Sequence, residues 1–430
     1  MKGQPRPRKP NSLPFFYGWL IVAASFLALG TYGAFYSFGI FLKPMAAEFH
    51  WSRGETSTAF SIYMAVYTLS AILMGWMADR WGPRLPLVLA SFLIGIGLAL
   101  SSQVTSLWQL YLLYGVIAAV GFGAVFVVPL PTTVRWFATR RGLASGIATS
   151  GQGISIFAMP LVANWLINAY DWRVAFLAIG IFFFTINLMA AMVLRRDPEE
   201  MGLIPYGATA SEHQEPLAPS PSQLPSPAKD LTVKETVTTR SFWILYIAFA
   251  LIIGGERMVA VHIASFATDI GISSAIAAGA LGMIGIGRIF GNLVMGPLSD
   301  RIGRKSAWII SSALISVTIL GLGAVNNAAM AYLFIVFLGF SYGGLVAVFS
   351  PLIGEFFGLT HMGKIMGIFF TCGTISGLIG PTLAGYLYDF TGSYDQAFLF
   401  GGMLCALAII LSLFVRPPLR TASPPQELSP

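Results

Sequence analysis

The sequence predicts an all-α integral membrane fold in which twelve transmembrane helices form two pseudo-symmetric six-helix bundles. Three observations predict it: an apolar composition, twelve stretches long enough to cross a bilayer, and an internal repeat at an offset of 221 residues. Of the 430 residues, 56% are hydrophobic and 10% are charged, whereas roughly a quarter of the residues in soluble domains are charged. Such a chain is expected in lipid rather than in water.

The apolar stretches give the division of the chain. A helix needs about 20 apolar residues to cross the hydrocarbon core. Candidate spans lie near residues 16-42, 57-78, 85-103, 107-133, 142-168, 173-194, 241-267, 274-298, 307-325, 328-353, 364-387 and 396-415. A segment rich in Pro, Ser, Glu and Gln follows the sixth span and has the composition of a linker. The predicted order is a cytoplasmic tail (1-14), a six-helix bundle (15-195), a cytoplasmic linker (196-240), a second bundle (241-415) and a cytoplasmic tail (416-430).

The positive charges predict the orientation. Of the 25 Lys and Arg residues, 20 fall in the two tails, the linker and the even-to-odd loops, three fall on the other side and two lie inside spans. By the positive-inside rule both termini are cytoplasmic. The net charge of +7 is therefore explained by topology, and no nucleic-acid partner is expected.

The first apolar stretch, Phe15 to Leu42, is too long for the apolar core of a signal peptide, so we expect it to remain as a span. The expected location of this multi-pass protein is a plasma membrane or a bacterial inner membrane.

The internal repeat is visible in two separate regions. The second connection has the pattern Gly75-x-x-x-Asp79-Arg80-x-Gly82-x-Arg84, and the eighth has Gly296-x-x-x-Asp300-Arg301-x-Gly303-x-Lys305. In the fifth and eleventh spans, Gly146 and Pro160 correspond to Gly367 and Pro381 at the same offset. Repeats of this size are typical of transporters.

The loop pattern Gly-x-x-x-Asp-Arg-x-Gly-Arg/Pro-Arg/Lys resembles the major facilitator superfamily, over essentially the whole chain. A short cationic turn with one acid at a helix end can pair with neighbouring helix termini and hold one end of a pore shut. Alternatively, these residues are only topology charges. The expected gating residues are Gly75, Asp79, Arg80, Gly82, Arg84, Gly296, Asp300, Arg301, Gly303 and Arg304.

Further motifs resemble the branch of monocarboxylate transporters and oxalate/formate exchangers. They are Tyr17-Gly18-Trp19, Trp136-Phe137-x-x-Arg140-Arg141-Gly142-Leu143-Ala144-x-Gly146, Asp171-Trp172-Arg173 and Val261-His262. The resemblance implies a substrate-binding arginine in the eighth span, and Arg288 stands at that place.

Charges inside the spans mark the candidate substrate site. Placing an arginine at mid-bilayer costs about 2.5 to 3.5 kcal/mol, so such a residue is expected to have a function. Arg288 lies near the middle of the eighth span, one turn before Asn292 and among several glycines. Its planar guanidinium suits a carboxylate ligand. The alternative is a structural arginine paired permanently with Glu256 of the seventh span.

Glu256 is the acid placed deepest in a span, and either a proton carrier or a static counter-ion fits it equally well. Arg257 cannot share its helix face, because neighbouring residues point about 100° apart. It could add a second positive charge, extend to lipid or flank Glu256. The resemblance implies an aspartate one turn before the arginine in animal monocarboxylate transporters, but Ile284 stands there, which leaves Glu256 as the candidate replacement.

Four further residues complete the expected pocket. Tyr36 and Tyr342 are the aromatic candidates, and His262 is either an external-gate residue or a structural histidine. The resemblance implies a second cation in the oxalate exchanger. The aligned stretch of this chain, around Cys372, contains no Lys or Arg. A single anchoring cation suits a monocarboxylate better than a dicarboxylate.

The sequence thus predicts a secondary active transporter of a small organic monocarboxylate, similar to lactate or pyruvate, coupled to protons and working by alternating access. An exchanger of oxalate, formate or other organic anions is the first alternative, and a membrane sensor or enzyme is the second. Phosphate-loop and metal-protease patterns do not occur. No cofactor or metal is expected, and the oligomeric state is left open.

Overall fold

The computed structural model describes residues 16–208, 230–269, 280–325 and 327–418, and these residues form an all-α protein. Eleven helices in this part are long and apolar enough to cross a membrane. The twelfth long helix, Ala280–Ile302, has 23 residues and carries Arg288. The predicted fold class is confirmed.

The twelve long helices follow the order of the predicted spans. They are α1 Gly18–Phe49, α2 Arg53–Trp81, α3 Arg84–Ser101, α4 Leu107–Arg135, α5 Arg141–Ala169, α6 Trp172–Val193, α7 Arg240–Asp269, α8 Ala280–Ile302, α9 Arg304–Leu322, α10 Ala328–Phe357, α11 Met362–Thr391 and α12 Asp395–Leu413.

Local sequence explains where several helices begin. Ser52 and Glu55 form a reciprocal capping box at the start of α2, and the side chains of Asp171 and Asn327 accept backbone hydrogen bonds at the starts of α6 and α10. Within α1 a 3-10 turn, Gly30–Gly33, allows a close approach to α5, where the Gly33 N–H donates to the Ser155 hydroxyl at 2.8 Å.

Glycines hold α8 directly against α10, and this contact positions the later site. A Cβ atom at Gly291 would meet the backbone oxygen of Phe340, and one at Gly343 would meet the backbone of Arg288. Small residues let two helices approach closely in a membrane, where packing drives association. The backbone that carries Arg288 is therefore fixed by contact with α10.

The two six-helix halves meet along two equivalent pairs, α2 with α11 and α5 with α8. Gly75 packs against Gly363 in the first pair, and Gly142 packs against Gly296 in the second. These contacts lie at the end of the molecule where α2 and α8 finish and α5 and α11 begin, which we call the linker end. The opposite end is called the far end.

Both described parts of the predicted linker bind to loops at the linker end. The Tyr206 carbonyl accepts from the backbone of Ala138 at 3.0 Å and of Thr139 at 3.1 Å, next to α5. The Asp230 carboxylate accepts from the backbone N–H groups of Leu359 at 2.8 Å and Thr360 at 2.9 Å, before α11. The predicted bounds 196-240 stay a prediction, because residues 209–229 lie outside the described part, as do residues 1–15 and 419–430.

Replacing Gly291 by Val should destabilise the protein by about 1–3 kcal/mol, since overpacking at a backbone contact forces α8 away from α10. The check is the midpoint of thermal unfolding in detergent. Gly54→Val is a matched control, because no atom lies within 4 Å of a Cβ atom at Gly54. Equal midpoints for the two variants would contradict the assigned packing.

Candidate functional site

A cavity of about 510 Å³ lies between the two halves. Its walls come from α1, α2, α4 and α5 of the first half and from α7, α8, α10 and α11 of the second. The charged residues in its lining are Arg257 and Arg288, and both belong to the second half.

Arg288 is almost completely buried, with 1% of its surface exposed. Its Nη2 atom donates a hydrogen bond of 2.9 Å to Oε1 of Glu256. The guanidinium carbon lies 4.3 Å from the centroid of the Tyr342 ring, a cation–π arrangement. The sequence candidates Arg288, Glu256 and Tyr342 therefore meet at one place.

Glu256 lies behind the two arginines and is outside the cavity lining, with 1% exposure. Its second oxygen, Oε2, is 3.5 Å from Nε of Arg257. The long Arg257 side chain thus reaches its neighbour although the two residues leave the helix in different directions, so it flanks Glu256, one of the three roles left open by the sequence. With all three groups ionised, one carboxylate and two guanidinium groups have a net charge of +1.

The other predicted site residues lie around this ion cluster rather than in it. Asn292 is buried one turn from Arg288, outside the cavity lining. Cys372 is buried and its thiol donates to the Phe369 carbonyl of its own helix at 2.8 Å. The ring of His262 contacts the Tyr394 hydroxyl at 3.2 Å and the Pro381 carbonyl at 3.0 Å, while Val261 beside it lines the cavity. The side chain of Tyr36 lies outside the described residues.

Several lining residues were not assigned from the sequence. Polar contributions come from Tyr32, Tyr67, Thr68, Gln152 and Thr374. The hydroxyl groups of Thr68 and Thr374 contact each other across the two halves. The repeat offered one signal, because Tyr67 is the counterpart of Arg288 at the 221-residue offset.

The linker end is closed by two equivalent contacts between the halves, which we call the interlock. The Asp79 carboxylate accepts from the backbone N–H groups of Gly363 at 3.0 Å and Lys364 at 2.8 Å, in the first turn of α11. The Asp300 carboxylate accepts from Gly142 at 2.8 Å and Leu143 at 2.9 Å, at the start of α5. Each acid thus binds the positive end of a helix dipole in the other half.

Arg135 strengthens the first contact, although the sequence assigned it only a topology role. It donates to Asp79 at 3.0 Å and to the Leu359 carbonyl at 2.7 Å, so it joins α4 to the loop before α11. In the second half Arg304 lies 3.4 Å from Asp300 and 2.7 Å from Glu355.

The other residues expected to act in gating make local contacts. Gly82 and Gly303 adopt φ values of +83° and +88° in the two turns, a conformation that favours glycine. Arg84 donates to the Met192 carbonyl at the end of α6, at 2.8 Å. Arg80 is exposed, with its guanidinium 5.7 Å from the Trp76 ring, and Arg301 is exposed as well.

No group of three or more potential metal ligands occurs among the described residues. The observed site consists of a cavity, a buried ion cluster and a closed linker end between two helical halves. These features define a helical membrane transporter of two repeated halves as the class of protein.

The comparisons specify the class further. Residues 24–287 and 245–430 match the family model described as Major Facilitator Superfamily. The chain belongs to the major facilitator superfamily.

Curated relatives cover nearly the whole chain. Monocarboxylate transporter 11 of Mus musculus is 28% identical over 93% of this chain and 86% of the relative. Monocarboxylate transporter 13 of Bos taurus is 27% identical over 92% of this chain and 89% of the relative. The chain is thus related to monocarboxylate transporters.

Solved structures agree on the fold. The proton:xylose symporter XylE superimposes with a TM-score of 0.73 and 14% identity, covering 93% of this chain and 96% of that chain. The fucose:proton symporter FucP of E. coli gives 0.69 and 14%, covering 94% and 100%. At this identity the likeness shows the fold alone.

Removing one acid of the interlock should expose the linker end. In a Ser299→Cys background, where residue 299 is buried next to Gly142, Asp300→Ala should speed maleimide labelling by roughly 5- to 30-fold, the effect of 1–2 kcal/mol on an opening equilibrium. Asp389→Ala, an exposed acid near the end of α11, is the control. Identical labelling rates in the two double variants would show that Asp300 does not hold this end closed.

Proposed function

We propose that the protein is a secondary active transporter of an organic monocarboxylate, that the substrate carboxylate binds Arg288, and that transport is coupled to protons through Glu256. Alternating access between the two halves would carry the substrate across the membrane, with both termini in the cytoplasm. The names of the relatives support this class of substrate.

The main support for this proposal is the arrangement of charge around the cavity. Two guanidinium groups line it, whereas the only acid of the cluster lies behind them with 1% exposure. An entering ligand therefore meets positive charge in a site of low dielectric constant, where opposite charges attract strongly. A planar guanidinium favours a carboxylate, because it can donate two parallel hydrogen bonds.

Proton coupling follows from competition for Arg288. Arg288 is hydrogen-bonded to Glu256 at 2.9 Å. When a substrate carboxylate takes this guanidinium, Glu256 loses its shorter contact while staying buried. Leaving a buried charge without its partner is costly, so in the proposed mechanism a proton binds at Glu256 together with the substrate.

Proton-independent exchange of organic anions is the second candidate, and the net charge of the cluster favours it. One bound monoanion brings the charge of +1 to zero without a proton. Uptake of labelled lactate, pyruvate, formate and oxalate into vesicles, with and without a pH gradient, separates the two candidates. Transport of only a neutral sugar or a cationic drug would reject both.

Arg288→Ala should lower carboxylate transport by roughly 30-fold to several thousandfold, since truncating one partner of a buried charge pair costs about 2–5 kcal/mol. Arg288→Lys should rescue little, because an ammonium group lacks the planar fork. The measurement is the initial rate of uptake into vesicles containing equal amounts of inserted protein. Arg173→Ala removes an arginine paired with Glu48 outside the cavity lining and should transport normally; full activity of Arg288→Ala would reject the substrate role.

Glu256→Gln should keep exchange of carboxylates but abolish accumulation driven by a pH gradient. The amide can still accept a hydrogen bond from Arg288, but it cannot take up a proton in the relevant pH range. The measurement compares counterflow with pH-driven accumulation in the same vesicles. Unchanged accumulation would mean that Glu256 is a static counter-ion.

A further inference from the structure

The floor of the cavity is built from aromatic rings. Four phenylalanines, which we call the phenylalanine floor, line it toward the linker end: Phe126, Phe249, Phe349 and Phe370. The rings of Phe126 and Phe370 are 4.7 Å apart across the two halves, and those of Phe249 and Phe349 are stacked at 4.4 Å. Each lies roughly two turns from the linker end of its own helix. The deepest part of the cavity is therefore apolar.

The two cations lie in the same cavity, farther from the linker end than the phenylalanine floor. Arg257 and Arg288 are roughly five and four turns, respectively, from the linker-end termini of α7 and α8. At 5.4 Å per turn, the cations are separated from the phenylalanine floor by on the order of 10 Å along the helix axes. A ligand held by its carboxylate at Arg288 could extend an apolar body over this length.

The cavity volume also indicates a ligand larger than lactate. The six heavy atoms of lactate take up on the order of 100 Å³, if each occupies somewhat less than the ~30 Å³ of a liquid water molecule. A cavity of about 510 Å³ is in the range that holds much larger ligands. Closure of the halves would reduce this volume but would leave the aromatic walls in place, and filling them with water is unfavourable.

We propose that the preferred substrate is a monocarboxylate with a bulky apolar or aromatic body, bound with its carboxylate at Arg288 and its body against the phenylalanine floor. This inference rests on the proposed function and names a larger substrate than the lactate-like one expected from the sequence. Two-carbon and three-carbon acids would bind by the same cation but leave most of the apolar wall uncovered, and therefore bind more weakly.

Two glycines of α11 determine the room for that body. Gly373 and Gly377 both line the cavity. A Cβ atom at Gly377 would have no neighbour within 4 Å, and one at Gly373 would lie 3.7 Å from Cδ1 of Ile253, an ordinary contact. Larger side chains at these positions would enter the cavity instead of displacing the protein around it.

The first test uses the wild-type protein. Acetate, lactate, 3-phenylpropanoate and indole-3-acetate compete for uptake of a labelled carboxylate, and 3-phenylpropanamide reports binding without the charge. We expect the two aromatic acids to inhibit at concentrations at least roughly tenfold lower than lactate does. The reason is that each methylene buried in an apolar pocket strengthens binding by about tenfold or more. Equal inhibition by lactate and the aromatic acids would overturn the inference while leaving the proposed function intact. Failure of every carboxylate would instead reject the proposed function.

The second test narrows the cavity. Gly373→Leu and Gly377→Leu should each lower the preference for 3-phenylpropanoate over lactate by roughly tenfold or more, as a misplaced side chain in an apolar pocket does. Gly54→Leu introduces the same side chain into open space outside the cavity and should keep the wild-type preference. If both cavity variants insert normally and retain that preference, the assigned position of the apolar body is wrong.

Discussion

The buried hydrogen bond between Arg288 and Glu256 is the contact on which the site depends. Each of these ions alone would be costly inside a membrane protein, and together they remain tolerable only while they stay paired. The pair also limits what can happen in the cavity. In the proposed mechanism a ligand that binds Arg288 replaces the charge of Glu256, which favours an anion over a neutral or cationic ligand.

The packing around the pair fixes its position. Gly343 of α10 lies against the backbone of Arg288, and the neighbouring Tyr342 places its ring under the guanidinium group. The carboxylate comes from α7, together with Arg257. A larger residue at Gly291 or Gly343 would move Arg288 relative to Tyr342. These two glycines therefore help to position the proposed binding residues although they have no functional groups of their own.

The repeat shows which features serve the scaffold and which serve the ligand. The interlock is symmetric, because Asp79 and Asp300 bind the first turns of α11 and α5 in the same way. The ion cluster occurs once, since Arg288 corresponds to Tyr67 in the first half. This difference fits the proposed function, in which both halves must close but a single substrate carboxylate needs one main cation.

The sequence predicted the features that depend on periodicity and on the repeat. Apolar length predicted the spans. The repeated motif identified Asp79 and Asp300, although it did not identify their partners. The ligand-facing side chains could not all be predicted, because a wall position depends on the rotation of each helix and on a partner far away in the chain. Phe126 and Phe370 illustrate this: their rings meet across the two halves, and no local pattern separates them from the other phenylalanines.

Arg257 and Arg135 show a second limit. Helix geometry separates the directions of Glu256 and Arg257, yet a flexible side chain covers that separation and brings the charges to 3.5 Å. In the sequence, Arg135 looks like one of the positive charges that set the topology. Its position at the end of α4, however, lets it donate a hydrogen bond to Asp79. Sequence spacing gives the direction of a Cβ atom, whereas long side chains find partners that only the tertiary structure supplies.

The cavity and the interlock are built on the same helices. On α2, Tyr67 lines the cavity and Asp79 closes the linker end; on α8, Arg288 and Asp300 have the corresponding positions. The two residues of each pair are separated by roughly three turns of helix, on the order of 18 Å. A helix that tilts to bring Arg288 onto a carboxylate must also move Asp300 relative to the first turn of α5. In the proposed alternating-access mechanism, rigid helices would therefore couple substrate binding to opening of the linker end, without a relay of side chains between them.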